Sequence, residues 1–336
     1  MRFLLKSIAT SKLTLPVVCA LAVVVMLTQT LPVNLFQQDE SGLWSLLPLA
    51  LLDDKWTQLG INLGLLAISI YLLAELNTSF VLLRIRSRMI SSLFTTLFIA
   101  SSFLHPVQPA SLIPPLLITA YFALFSTYQQ NHAVMPTFVF YLLMALCSLV
   151  FPKILLMTPV FWMCQVHLRS FSFKAFCASL VGLTAPYWFI FFYSLVQMDG
   201  LQLFLLPFRQ LGQLHLPDYT SVSLSQWLML GFTFIVSLIG TFNFLSTAYL
   251  DKTRIRITYD IVIIINVASF LFIALLPQCF NPVFTVCIIN TAILAGRYFA
   301  QNESRAANIL FIILTSLILL IALFNIYGQP ILNYFG

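Results

Sequence analysis

The chain has 336 residues, of which 60% are hydrophobic and 8% are charged, where a soluble domain carries roughly 25% charged side chains. Sixteen Lys and Arg with ten Asp and Glu cannot cover a water-facing surface of this size, which excludes an ordinary soluble protein. The sequence predicts an all-α, polytopic transmembrane helical bundle forming a single integral membrane domain, 1–336.

The first thirteen residues carry Arg2, Lys6 and Lys12 ahead of an apolar run from Thr14 to Phe36. That run is too long for the hydrophobic region of a secretory signal, and no small-x-small cleavage site closes it, so it reads as a retained first span. A hydrocarbon core of about 30 Å needs roughly 20 apolar helical residues. On that measure eleven spans follow, at about 14–36, 58–80, 89–105, 111–128, 134–152, 154–168, 175–197, 224–249, 259–277, 282–300 and 308–327. The third and sixth are short and joined to a neighbour by Pro-rich links, His105-Pro106 to Pro109 and Pro152-Lys153. Hairpins 89–128 and 134–168 are therefore either paired crossings or re-entrant pairs.

Orientation follows from the short loops, because cytoplasmic loops are enriched in Lys and Arg. With the N-terminus inside and the C-terminus outside, thirteen basic residues face the cytoplasm, among them Arg84, Arg88, Lys252, Arg254, Arg297 and Arg305. Only Lys55, Lys153 and Arg209 face the other side. The pI of about 9.1 thus reflects topology and contact with anionic membrane lipids, not nucleic-acid binding. The inner (cytoplasmic) membrane is the expected location. Two outer segments, 37–57 and 197–223, are apolar enough to lie at the interface, the first with Trp44 and Trp56 at headgroup level.

Chemistry-bearing residues are few. None of the six cysteines forms a CxxC pair, and five lie in apolar runs, so neither a metal cluster nor a disulfide is expected. The adjacent carboxylates Asp39 and Glu40, just outside the first span, suit a general base or a ligand for a divalent cation; solvated loop acids are the alternative. No other cofactor is implied. Asp53 and Asp54 bracket the same segment, so a folded-back loop brings four carboxylates together. Arg209, His215 and Asp218 make a second outer set, in which a guanidinium suits the phosphate of a lipid carrier and His215 a base. Snorkelling of Arg209 to the headgroups, with His215 at the interface, is the alternative. Glu75 lies near the inner end of the second span, as a path-lining acid or a partner of Arg84, Arg86 or Arg88. Arg256 and Asp260 have the spacing of a local helix ion pair, and His105, His132 and His167 fall at span ends, where interfacial placement is expected.

The stretch from Glu75 to about Tyr193, with ELNTSFVLLRIRSRMISSLF, MPTFVFYLLMALCSLVFPKILLMTPVFWM and HLRSFSFKAFCASLVGLTAPYWFIFFY, resembles a family of Bacteroidota inner-membrane proteins that has no assigned activity. That likeness covers roughly a third of the chain and implies a multi-pass inner-membrane protein. The inside N-terminus, Asp39-Glu40 and the apolar Leu43–Leu52 stretch also resemble, in topology, the C-type glycosyltransferases, which use polyprenyl-linked sugars. The expectation is envelope glycan assembly on a polyprenyl-phosphate-linked sugar at the outer face, with Asp39 or Glu40 as base or metal ligand and Arg209 on the phosphate. A non-catalytic membrane component or transporter is the alternative.

Overall fold

The computed structural model describes residues 8, 11, 13–28, 54–85, 87–130, 133–196, 201–213, 217–302 and 304–324. Among them are twelve α-helices and no strand: α1 Thr14–Thr28, α2 Lys55–Phe80, α3 Met89–Ala100, α4 Pro109–Ser126, α5 Val134–Val150, α6 Thr158–His167, α7 Phe173–Val196, α8 Gln202–Gly212, α9 Leu224–Thr247, α10 Thr253–Leu275, α11 Phe280–Gln301 and α12 Arg305–Leu323. Each of the eleven expected spans contains one of these helices, and α8 falls in the second outer segment. Seven are long and apolar enough to cross a membrane, fewer than the eleven expected. α1, α3 and α5 are apolar but shorter, and α6 has only ten residues.

The short helices are extended by 3-10 turns where proline interrupts the α-helical ladder. α3 continues into Ser102–Leu104, and Pro152–Met157 leads into α6. Two amide hydrogen bonds show how far α3 reaches. Asn77 Nδ2 donates to the Ser87 carbonyl just before α3, and Asn62 Nδ2 donates to the His105 carbonyl just after its 3-10 turn. The segment 87–105 therefore runs antiparallel to α2 between Asn77 and Asn62, about 22 Å at 1.5 Å per residue. His105 is buried there, its ring Nε2 3.2 Å from the Phe98 carbonyl; the expected interfacial placement does not hold for it.

α11 is the hub. In the segment Pro277–Gln301, 89% of an 18-residue window is buried, against 17% for α12, and α11 packs on α9, α10, α3 and α4. With no hydrophobic drive between helices in lipid, close approach rests on small residues. α7 packs on α5, with Gly182 against Phe138 and Tyr141, and α9 meets α11 at Gly240. Large side chains such as Phe189, Phe192, Phe242 and Leu320 point outward, where a bilayer replaces water as solvent.

Each end of the bundle has its own polar lock. At one end an amide chain runs from Gln226 on α9 to Asn281 on α11 to Gln108 before α4, with both links 2.9 Å. The opposite end is basic. There the Tyr259 hydroxyl donates to the Leu82 carbonyl, Arg254 lies 5.4 Å from the Phe80 ring centre, and His167 meets Asp260 at 3.4 Å. Asp260 thus pairs across helices with His167, not along its own helix with Arg256 as the spacing suggests.

Candidate functional site

Two features of the basic end concentrate charge in an otherwise apolar molecule. The first is built on Asp251, in the short link between α9 and α10. Its Oδ1 accepts from Arg84 Nε at 2.8 Å, and its Oδ2 lies 2.5 Å from Arg297 Nη2. The Asp251 and Arg297 side chains are 1% and 2% exposed, whereas that of Arg84 is 40% exposed. The Arg297 guanidinium lies between two rings, 4.6 Å from the centre of Phe244 and 4.8 Å from that of Tyr259, and Nη2 also donates to Thr247 Oγ1 at 3.2 Å. Arg297 Nε and Nη1 have no hydrogen-bond acceptor among the described residues. Ring faces take that place, because guanidinium stacks well on aromatic quadrupoles. A buried charge is tolerated only when paired in this way.

The second feature is a groove of about 1140 Å³ between α1 and α2 and the α2–α3 turn. Its walls are apolar, with Leu15, Cys19 and Ala22 on α1 facing Leu63, Leu66 and Ile70 on α2. At the basic end its lining turns polar, with Glu75, Asn77, Ser87, Arg84 and Arg88. Asn77 shapes this mouth: its carbonyl accepts the Val81 and Leu82 N–H groups, and its Oδ1 accepts the Leu83 N–H at 3.1 Å. The turn forces Val81 to φ 50°, a left-handed conformation that a β-branched residue rarely adopts.

Across α1 lies a smaller apolar cavity of about 460 Å³, between α1, α3, α9, α11 and α12. Ser11, at the start of α1, lines both spaces.

Of the residues singled out by sequence, Asp39, Glu40, Asp53, Arg86, His132 and His215 lie outside the described residues. Asp54 is exposed at the N-cap of α2, its Oδ2 accepting from the Thr57 hydroxyl at 3.1 Å. Arg209 is exposed in the last turn of α8. α8 packs on α7 and on residues 152–157, while α2 packs on α4 and α3, so Asp54 and Arg209 stand in different parts of the bundle. Glu75 lines the groove and accepts from Ser79 Oγ at 3.2 Å; of its three expected partners, Arg84 meets Asp251, Arg86 lies outside the described residues, and Arg88 makes no ion pair with it. Asp218 accepts from the Thr220 hydroxyl and N–H at 2.6 and 3.0 Å, and these bonds hold its carboxyl below the usual range. None of the six cysteines is in a disulfide, and no group of three or more His, Cys, Asp or Glu gathers among the described residues.

Sequence reasoning missed the Asp251–Arg297 pair. Its only signal was a cation inside the apolar run ILAGRYF, within the expected span 282–300 but counted with the cytoplasm-facing charges.

Comparison with family models, with curated protein sequences and with solved structures finds no match to this chain.

Proposed function

We propose that the chain is a cytoplasmic-membrane protein of eleven crossings, N-terminus inside and C-terminus outside, that works in envelope glycan assembly on a polyprenyl-phosphate-linked sugar at the outer face. The groove between α1 and α2 carries this reading. These two helices are the ones that residues 29–54 join in sequence. A polyprenyl chain is apolar along its whole length and matches the Ala22, Val23, Leu63 and Leu66 part of the lining. The sugar then meets the outer segment, with Asp39 or Glu40 as general base or as ligand for a divalent cation, and Asp53 and Asp54 against sugar hydroxyls. The second outer segment, with Arg209 and His215, would contact the phosphate of a carrier only if it met the first, since Arg209 on α8 stands apart from Asp54 on α2. Kinship with the Bacteroidota inner-membrane family belongs to the same proposal.

Two observations support the count of eleven. The segment 87–105 runs beside α2 for about 22 Å and is fixed near both ends by Asn77 and Asn62. Pro152–Met157 and α6 together extend about 27 Å, at 2.0 and 1.5 Å per residue. The same broken helices favour one second reading, a transporter, whose sites are formed by interrupted helices enclosed in protein.

One experiment separates the two readings. The double variant Asp39→Asn, Glu40→Gln, matched to the native chain in expression and membrane insertion, is expected to abolish the glycan phenotype and to accumulate the lipid-linked sugar. Full activity removes the enzyme reading. Cysteines introduced at Asp54 and Arg254 are expected to react with an impermeant thiol reagent from outside and inside respectively, and the reverse pattern overturns the orientation.

A further inference from the structure

The basic end of the groove holds three charged side chains among the described residues: Glu75, Arg84 and Arg88. Arg84 meets Asp251 at 2.7 Å and shares that carboxylate with Arg297. Neither of the other two has a partner of opposite charge among the described residues, since Glu75 takes only the Ser79 hydroxyl and no carboxylate lies within ion-pair reach of Arg88. Among the described residues the mouth therefore presents one carboxylate and one guanidinium without a protein counter-ion, beside the shared Arg84. Both side chains are exposed at the mouth, where a charged headgroup can reach them.

The apolar space around them forks. Ser11 stands where the two cavities meet, with the large one on the Leu15 and Cys19 face of α1 and the small one on the Thr14, Val17 and Val18 face. The small cavity reaches Met89 and Ser92, within one turn of Arg88 on the same segment. Two apolar slots thus diverge from one polar mouth.

We propose that this mouth binds a phospholipid with a phosphoethanolamine headgroup, its phosphate on Arg88, its ammonium on Glu75, and its two acyl chains straddling α1, one in each cavity. A zwitterionic headgroup supplies one charge of each sign, as the mouth requires. An anionic headgroup such as phosphoglycerol satisfies Arg88 and leaves Glu75 facing like charge. A single-chain lipid fills one slot and leaves the other empty. Arg84, held by Asp251 beside the same mouth, adds a second guanidinium at the phosphate end without needing to leave its partner. The site lies at the opposite end of the groove from the outer acidic segment, so it stands apart from the glycan reaction proposed for that face.

The test uses the full chain, delipidated in detergent, with lipid binding followed by native mass spectrometry. Dioleoylphosphatidylethanolamine is expected to bind at least about tenfold more tightly than dioleoylphosphatidylglycerol or monooleoyl lysophosphatidylethanolamine. Glu75→Gln is expected to erase the preference for ethanolamine over glycerol while phosphatidylglycerol still binds. Arg88→Ala is expected to weaken both two-chain lipids by about tenfold. Val17→Trp, at an exposed position lining the small cavity, is expected to bring the two-chain lipid down to the affinity of the lyso form. Unchanged thermal unfolding of each variant guards against misfolding. Equal affinity of the native chain for ethanolamine and glycerol lipids overturns the headgroup assignment. Equal affinity for lyso and two-chain forms overturns the forked site. Neither result bears on the Asp39 and Glu40 experiment.

Discussion

The Asp251 carboxylate meets the Arg297 guanidinium at 2.5 Å in a part of the molecule where both side chains are almost wholly enclosed. The pair ties the α9–α10 link to the hub helix α11, and Arg84 extends it to the α2–α3 turn. Three segments distant in sequence are thus held by one carboxylate.

Removing Asp251 leaves Arg297 charged, buried and unmatched, and Asp251→Ala is expected to cost about 3–5 kcal/mol of stability. Removing Arg297 leaves the buried Asp251 with only the half-exposed Arg84 as partner, so Arg297→Ala is expected to destabilise as well, by less than Asp251→Ala. Arg84→Ala removes a half-exposed partner and is expected to cost about 1 kcal/mol or less. The double variant Asp251→Leu, Arg297→Met removes both charges and should recover most of the loss. Thermal unfolding in detergent orders the four chains, and an Arg297→Ala protein as stable as the native one refutes the role given to the pair.

Val81 adopts φ 50° at the groove mouth, and its side chain is exposed. A left-handed conformation costs a non-glycine residue about 1–2 kcal/mol, and little packing is lost on truncation here. Val81→Gly is therefore expected to raise stability by about 1 kcal/mol. A fall in melting temperature would show that the Val81 side chain contributes contacts that outweigh the backbone strain.

Two glycines should respond oppositely to alanine. A Cβ on Gly182 would lie 2.7 Å from the Phe138 carbonyl oxygen and 3.2 Å from the Leu142 nitrogen, so backbone must move. Gly182→Ala is expected to cost about 1–3 kcal/mol by forcing α7 from α5. Gly64 lies inside α2, with nothing within 4 Å of the place a Cβ would take, and should gain about 0.5–1 kcal/mol as alanine. The sign of each change, read by thermal unfolding, tests the helix packing directly.

Asp218 has its pKa lowered by the Thr220 hydroxyl and N–H that it accepts. A group whose folded pKa is depressed contributes stability above its unfolded pKa and loses it as pH falls through the folded value. The turn Tyr219–Ser221 is therefore expected to exchange its amide hydrogens faster, relative to intrinsic rates, as the pH drops below the ordinary carboxylate range. Asp218→Asn should flatten that dependence. An unchanged pH profile in the variant would locate the titrating group elsewhere.

Composition and local pattern were enough for the membrane class, for the all-α fold and for a helix in every expected span, because each depends only on whether some twenty consecutive residues prefer hydrocarbon to water. The clustering of basic residues at one end was legible for a similar reason, since loop charge is a local property. Tertiary structure decided what depends on neighbours. Arg297 was counted as a cytoplasm-facing cation at the end of its span, yet α11 carries it into a cage of Phe244 and Tyr259. Arg84 looked available to Glu75, yet it pairs with Asp251, 167 residues away. Asp54 and Arg209, drawn from two outer segments into one expected glycan site, stand on helices that pack in different places. Hydropathy gives the position of a helix along the chain and nothing about which helix lies beside it; that choice, made by small residues such as Gly182 and Gly240 at the crossings, decides which charges meet and where grooves open.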